Sequence, residues 1–154
     1  MPSIATSTRV DLAGLLDFVR PRHRALLITH RSDGGPQASP VVCGVDDAGR
    51  IAVSTYPDRA KAGNVRRTPR ASAVVLSDDW DGPWVQVDGA AEVLDAPESV
   101  EPLVEYFRAV SGEHPDWEEY REAMLRQGKS LIRLTPERWG PVATGGFPAR
   151  LVQE

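Results

Sequence analysis

Gln37–Thr55, QASPVVCGVDDAGRIAVST, consists of two apolar, β-leaning runs, Gln37–Val45 and Arg50–Thr55, parted by the hairpin signal Asp46-Asp47-Ala48-Gly49. Just upstream, Ala25–Thr29 (ALLIT) is another short apolar run, and Ser32-Asp33-Gly34-Gly35-Pro36 is strong turn punctuation. Together these read as three consecutive antiparallel strands. Pro40 has no N–H to give to a ladder, so its strand should run along an edge or carry a bulge there. Downstream, Ala71–Leu76 (ASAVVL) and Trp84–Leu94 (WVQVDGAAEVL) are two more strands around the polar turn Ser77–Pro83, and Ser130–Thr135 (SLIRLT) is a sixth. The strands come in runs and do not alternate with helices. The expected fold is therefore mostly β, a six-stranded antiparallel barrel whose closure removes exposed edges.

Helices flank this pattern. Asp11 caps a short one with apolar residues at 12, 15, 16 and 19, and Pro21 ends it. The polar, basic stretch Asp58–Thr68, stopped by Pro69, reads as another. Asp95 is placed to cap a third, with Pro97 in its first turn, apolar residues at 100, 103, 104, 107 and 110, and Gly112 at its end. A fourth, Asp116–Gln127, carries Trp117, Tyr120 and Met124 at helical spacing and closes at Gly128. Residues from Trp139 to Glu154 are loop-rich and give no clear element. There are no internal repeats.

With 154 residues the chain fits one domain, 1–154, large enough to bury a core without staples. Its 41% hydrophobic and 26% charged residues are those of a globular protein. The lone cysteine, Cys43, allows no intrachain disulfide, Met1–Val10 lacks an apolar h-region, and no stretch has the length of a membrane span. The expectation is a cytoplasmic domain with no membrane partner. A net charge of −4 argues against nucleic acid and leaves a small molecule as the partner. His23, His30 and His114 are scattered, and H-E-x-x-H, C-x-x-C, G-x-S-x-G and G-x-G-x-x-G are all absent, so no metal site, nucleophile elbow or Rossmann site is expected. Cys43, within an apolar strand, reads as a small buried residue. Trp80 and Trp139 are candidates to line a substrate pocket, with a turn or core role equally open.

Against that background Ser54–Arg70, STYPDRAKAGNVRRTPR, stands out. Five of the 18 basic residues (Arg59, Lys61, Arg66, Arg67 and Arg70) fall within twelve positions. Arg59 and Lys61 precede or open a helix, where free N–H groups and the positive dipole end already favour an anion. Ser54 and Thr55, ending the preceding strand, could add hydroxyl donors. Arginine grips phosphate by two bonds and lysine adds a mobile charge. Charge clustering by itself is equally the mark of a solvated helix face.

Asp58–Ser72, D-R-A-K-A-G-N-V-R-R-T-P-R-A-S, resembles the (S/D)-R-x-K-x-x-N-(L/V)-R-R-x-P-R-A-S run of the split β-barrel flavin/deazaflavin oxidoreductases, the superfamily of pyridoxamine 5′-phosphate oxidase. The Asn-(Leu/Val)-Arg-Arg version is typical of its actinobacterial coenzyme-F420-dependent branch. Leu26–Val42 is similar to the family's first hairpin, Trp84–Ala91 to its fifth strand, Ser111–Arg121 to a helix junction of the F420 branch, and Arg133–Gly140 to its closing strand. The likeness spans residues 11 to 142. The tail from Ala143 to Glu154 departs from the short ending of that branch.

The resemblance implies a six-stranded split barrel forming a homodimer, with two cofactor sites at the interface. It places the cofactor phosphate on Arg59 and Lys61, with Asn64 and Arg67 finishing the anion site. It lays the ring along the strand backbone at Gln37, Ser39, Pro40 and Val41 and at Ser54 and Thr55. Trp84 and Gln86 are candidates for the partner subunit's contribution, against an alternative as core or dimer contacts. The implied activity is an F420-dependent oxidoreductase, with hydride transfer at C5 of the deazaflavin to or from a small organic substrate. No side chain is singled out as catalytic. FMN is the alternative cofactor, and Arg66, Arg67 and Arg70 suit the longer polyanionic tail of F420. A non-catalytic carrier of the cofactor or of haem is the reading from another class.

Overall fold

In the computed structural model, which describes residues 3–151, Arg24–His30 (β2), Pro36–Val45 (β3), Ile51–Thr55 (β4), Arg70–Leu76 (β5), Val85–Leu94 (β6) and Ser130–Trp139 (β7) form a closed antiparallel barrel in the order β2-β3-β4-β7-β6-β5. These six are the strands expected from the apolar runs. The last extends four residues beyond Thr135, past Pro136, because Pro136 sits opposite Gly89 at a register shift between β6 and β7. A Cβ on Gly89 would lie 1.8 Å from the carbonyl oxygen of Thr135, so glycine is required for the two strands to approach this closely.

The barrel is not evenly sewn. β3 pairs with β2 over seven residues, Pro36–Val42. It pairs with β4 over only three, Cys43–Val45. One side of Pro36–Val42 is therefore an open seam. Cys43 N–H bonds the His23 carbonyl. With the two-residue alternation of an antiparallel ladder, Pro40 then falls at a position whose nitrogen faces away from β2, into the seam. The edge position expected from Pro40 is where the barrel opens.

Among the described residues there are four α-helices. Leu12–Val19 (α1), capped by the Asp11 carboxylate on the Gly14 N–H, packs Leu15, Leu16 and Val19 against Leu27, Cys43, Val75 and Val87 in the barrel core. Burying each leucine contributes about 1.5–3 kcal/mol. Val100–Ser111 (α3) and Trp117–Gln127 (α4) cover the outer face of β4 and β7, where Val100, Leu103 and Met124 meet Ala52 and Leu131. Asp116 caps α4, and Gly128, at φ 61°, closes it in the left-handed conformation. Phe107, His114, Trp117 and Tyr120 interlock between α3 and α4 with ring centroids 5.1–5.7 Å apart. Packing accounts for the helical spacing of those aromatics.

Two expectations need correction. Asp95 does not cap α3: the helix begins at Val100 after a turn, with Ser99 at its cap position. The Asp95 carboxylate instead accepts from Ser130 Oγ (2.5 Å) and Arg66 Nη2 (2.6 Å), which hold it at the barrel end. The stretch after Trp139, read as giving no clear element, also contains a strand. Thr6–Thr8 (β1) and Val142–Thr144 (β8) pair as a separate two-stranded ribbon, and Trp139 Nε1 donates to the Val10 carbonyl. Among the described residues no helix is long and apolar enough to cross a membrane.

Candidate functional site

Ala60–Arg67 (α2) follows β4 and starts directly after Arg59, whose extended backbone occupies the cap position without a side-chain cap. Neither Ala60 nor Lys61 has a backbone acceptor for its N–H among the described residues. Arg59 and Lys61 thus sit at an uncapped, positively polarised helix start. Neither pairs with a carboxylate among the described residues, although eight arginines elsewhere do. Lys61 is pushed below the ordinary lysine value, first by burial and then by the neighbouring Arg59 charge. Two adjacent cations, one of them partly desolvated, raise the energy of this end of α2 until an anion arrives. A third cation stands close by: Lys129 Nζ lies 5.3 Å from the Tyr56 ring centroid, and the Arg59 guanidinium 5.9 Å from the same ring.

Thr55 ends β4 four residues before Arg59. It is 4% exposed, and its Oγ1 is the buried side-chain polar atom that lacks a hydrogen-bond partner among the described residues. A buried hydroxyl without a partner costs about 1–3 kcal/mol, so this atom is suited to a ligand oxygen. Ser54 does not share that direction. Alternation places it with Ala52 on the α3 side, beside the Tyr106 hydroxyl, so the two hydroxyls diverge.

Along the open seam, Gln37, Ser39 and Val41 face the barrel interior yet stay half-buried, because no β4 residue covers them. On the seam edge, the Val42 carbonyl accepts from Tyr106 Oη and the Ala38 carbonyl from Gln37 Nε2. The Ala38 N–H and the Pro40 carbonyl are left unpaired among the described residues, a donor and an acceptor two positions apart. A planar heterocycle with its own N–H and C=O groups fits such an edge. The residues present therefore fit a phosphorylated flavin-type cofactor at both ends, anion and ring.

Asn64 and Arg67 are brought to the site, but through a residue that the sequence reading did not name. Asn64 is buried and donates from Nδ2 to Thr29 Oγ1 (3.1 Å), while Arg67 Nη2 donates to Asn64 Oδ1 (2.7 Å) and to the His30 carbonyl (3.3 Å). Thr29, fully buried, in turn meets Gln37. A polar residue at an inward position of the apolar run ALLIT was the available signal. Arg66 and Arg70 are not free for a ligand: one Arg66 nitrogen spans both oxygens of Asp95, and Arg70 pairs with Glu137.

Trp84 and Gln86 lie on the outer face of the sheet, opposite to the faces of Gln37, Ser39 and Val41. Trp84 bridges to Ala143, and Gln86 donates to Asp88. Within one chain they do not reach the seam interior. Trp84 lines a groove of about 700 Å³ together with Leu26, Leu76, Phe147 and Trp80, which is 83% exposed. Cys43 is buried, and burial pushes its thiol up to about 12, which leaves it without nucleophilic character.

A six-stranded antiparallel barrel with one open seam and a cationic helix start beside it defines the class of flavin-binding split barrels. The chain belongs to the pyridoxamine 5′-phosphate oxidase family, whose model matches residues 14–143. That family is one of oxidoreductases that bind flavin-type cofactors. Among solved structures, a conserved hypothetical protein of Mycobacterium tuberculosis, Rv2991, is 25% identical, with a TM-score of 0.73 over 91% of this chain and 89% of its own. An F420 reductase is 17% identical, with a TM-score of 0.61 over 80% of this chain and 94% of its own. A haem-binding protein from Mycobacterium smegmatis is 20% identical, with a TM-score of 0.65 over 88% of this chain and 55% of its own. The last two share the fold alone.

Proposed function

We propose that the chain is an F420-dependent oxidoreductase, with the cofactor phosphate at the start of α2 and the ring along the open seam of β3. The observation that carries this reading is the uncompensated pair Arg59 and Lys61 beside the unpartnered Thr55 hydroxyl. Lys129, close to the same Tyr56 ring as Arg59, extends the cationic rim beyond what one phosphate needs and favours the longer anion over FMN. With Arg66 and Arg70 engaged in ion pairs and Arg67 turned to Asn64 and the His30 carbonyl, the preference for F420 rests on Arg59, Lys61 and Lys129.

The bound deazaflavin supplies the hydride chemistry, and the protein supplies position and electrostatics. Arg59 and Lys61 neutralise the anion and set how deep the ring sits. The Ala38 N–H and the Pro40 carbonyl fix its edge. Val41 and the apolar barrel wall keep water from one face. The exposed apolar outer face of β2, β3 and β5, with Val42 at 51% exposure beside Leu26, Pro40, Val74 and Leu76, supports a homodimer in which a second copy brings Trp84 and Gln86 to the seam.

The test is a paired titration of the apoprotein with F420 and with FMN, followed by tryptophan quenching, with haem as a third arm. Tight F420 binding with weak FMN binding supports the proposal. The reverse order moves the protein to the FMN branch, and preferential haem binding replaces both. Light scattering at micromolar protein tests the dimer, and a monomer would remove Trp84 and Gln86 from the pocket.

A further inference from the structure

The polar contacts around Thr29 have a direction that can be worked out atom by atom. Arg67 is a guanidinium and can only donate. Its Nη2 lies 2.7 Å from Asn64, so the amide atom there is the oxygen and the other is the NH2. That NH2 group faces Thr29 Oγ1 at 3.1 Å, so Thr29 accepts from it and keeps its own proton to donate. The hydroxyl reaches Gln37 at 3.3 Å, so Gln37 presents its oxygen inward to Thr29. Gln37 Nε2 is thereby turned toward β3, donating to Ser39 Oγ at 2.9 Å and to the Ala38 carbonyl at 3.1 Å. Ser39 accepts, and its own proton finds no acceptor among the described residues. It is half-buried on the interior side of the open seam. A permanent charge at one end thus sets the polarity of four side chains and leaves one aimed hydroxyl donor at the other.

We propose that Arg67, Asn64, Thr29 and Gln37 form a one-way hydrogen-bond relay that holds Ser39 as a donor to an acceptor atom, a carbonyl oxygen or imine nitrogen, on the cofactor ring. The inference rests on the cofactor reading above and adds to it a specificity element: the seam selects rings that place an acceptor, and not an N–H, against Ser39. Thr29, Asn64 and Gln37 are positioning residues, because they act through Ser39. The relay also assigns Arg67 a role different from a direct phosphate ligand, since the nitrogen resolved in contact is turned to Asn64 and the His30 carbonyl.

The experiment compares wild type with Ser39→Ala, Thr29→Val, Thr29→Ser and the double variant Thr29→Val/Ser39→Ala. Each is titrated with F420 and FMN, with the visible absorption of the bound ring recorded, and each is titrated with inorganic phosphate as a probe without a ring. Ser39→Ala is expected to weaken the bound cofactor about three- to tenfold, the range of one neutral hydrogen bond, and to shift the ring absorption. Thr29→Val should do the same, Thr29→Ser should restore both affinity and spectrum, and phosphate affinity should be unchanged throughout. The double variant should be no weaker than Ser39→Ala alone. Equal, additive losses for the two substitutions would overturn the relay, because Thr29 would then act without Ser39. So would an unchanged spectrum in Ser39→Ala, or a loss in Thr29→Val that extends to phosphate. If wild type binds neither cofactor, the cofactor reading itself fails, and that result is distinct from any difference among the variants.

Discussion

Thr55→Val should make the apoprotein more stable and its complex weaker. The hydroxyl of Thr55 is buried without a partner: Val53, two residues before it on the same face, belongs to the apolar barrel core, and Ser130, opposite it on β7, commits its hydroxyl to Asp95. Valine keeps the β-branched shape and removes only the polar atom. The cost of leaving a hydroxyl unsatisfied in such a place is about 1–3 kcal/mol, and removing it returns that amount to the folded apoprotein. For a chain of this size each kcal/mol moves Tm by roughly 2–4 °C, so the variant should melt several degrees higher. If the same hydroxyl bonds the cofactor anion, its loss should weaken binding by about 1.5–3 kcal/mol, roughly 10- to 150-fold. Thermal and urea melts of the apoprotein, followed by titration with F420, read both quantities. A lowered Tm would show that the hydroxyl is satisfied in the apoprotein and would refute the reasoning. A raised Tm with unchanged affinity would remove Thr55 from the anion site.

Arg59→Ala and Lys61→Ala should each weaken cofactor binding by about 1.5–3 kcal/mol. Because burial and Arg59 hold Lys61 below its ordinary value of 10.5, anion affinity in wild type should fall as pH rises through the Lys61 pKa, beginning below that value; a flat titration to pH 10 would count against the assignment. Gly89→Ala should cost more than about 3 kcal/mol, since the new Cβ meets backbone at 1.8 Å and β6 must leave β7 to relieve it. A urea midpoint within error of wild type would contradict that geometry. Asp95 is held below its ordinary value of 3.8, chiefly by the Ser130 hydroxyl and then by Arg66. Its contribution is therefore complete above that pH and lost as pH falls through the lower folded value, so Asp95→Asn should flatten the acid limb of the stability profile. An unchanged limb would place the acid sensitivity elsewhere.

The six barrel strands, the cap at Asp11, the stops at Gly112 and Gly128 and the helix after Arg59 were all legible in the sequence. Each depends on neighbours within a few residues: alternation, turn chemistry and capping. The cationic start of α2 was legible for the same reason, because Ser54–Arg70 is one continuous segment. What the sequence could not sort was which of its five cations remain free. Arg66 and Arg70 find Asp95 and Glu137 from distant strands, and only the closed barrel brings those carboxylates within reach. Asp95 is the converse case: its position before an apolar periodic run reads as a cap, but the helix starts only at Val100, and the carboxylate is held by Ser130 and Arg66 instead. The ribbon of β1 and β8 joins residues more than 130 apart, a pairing without local signature.

The seam and the Thr29 relay belong wholly to the tertiary structure. Local pattern set which residues of β3 alternate inward and outward, and Pro40 marked an edge. The length over which β4 pairs with β3 is decided by where β4 must turn to meet β7, and that leaves Gln37, Ser39 and Val41 uncovered. Periodicity reports one element's own faces. A ligand site is made from the groups that several elements leave unsatisfied together, and that remainder exists only once the barrel has closed.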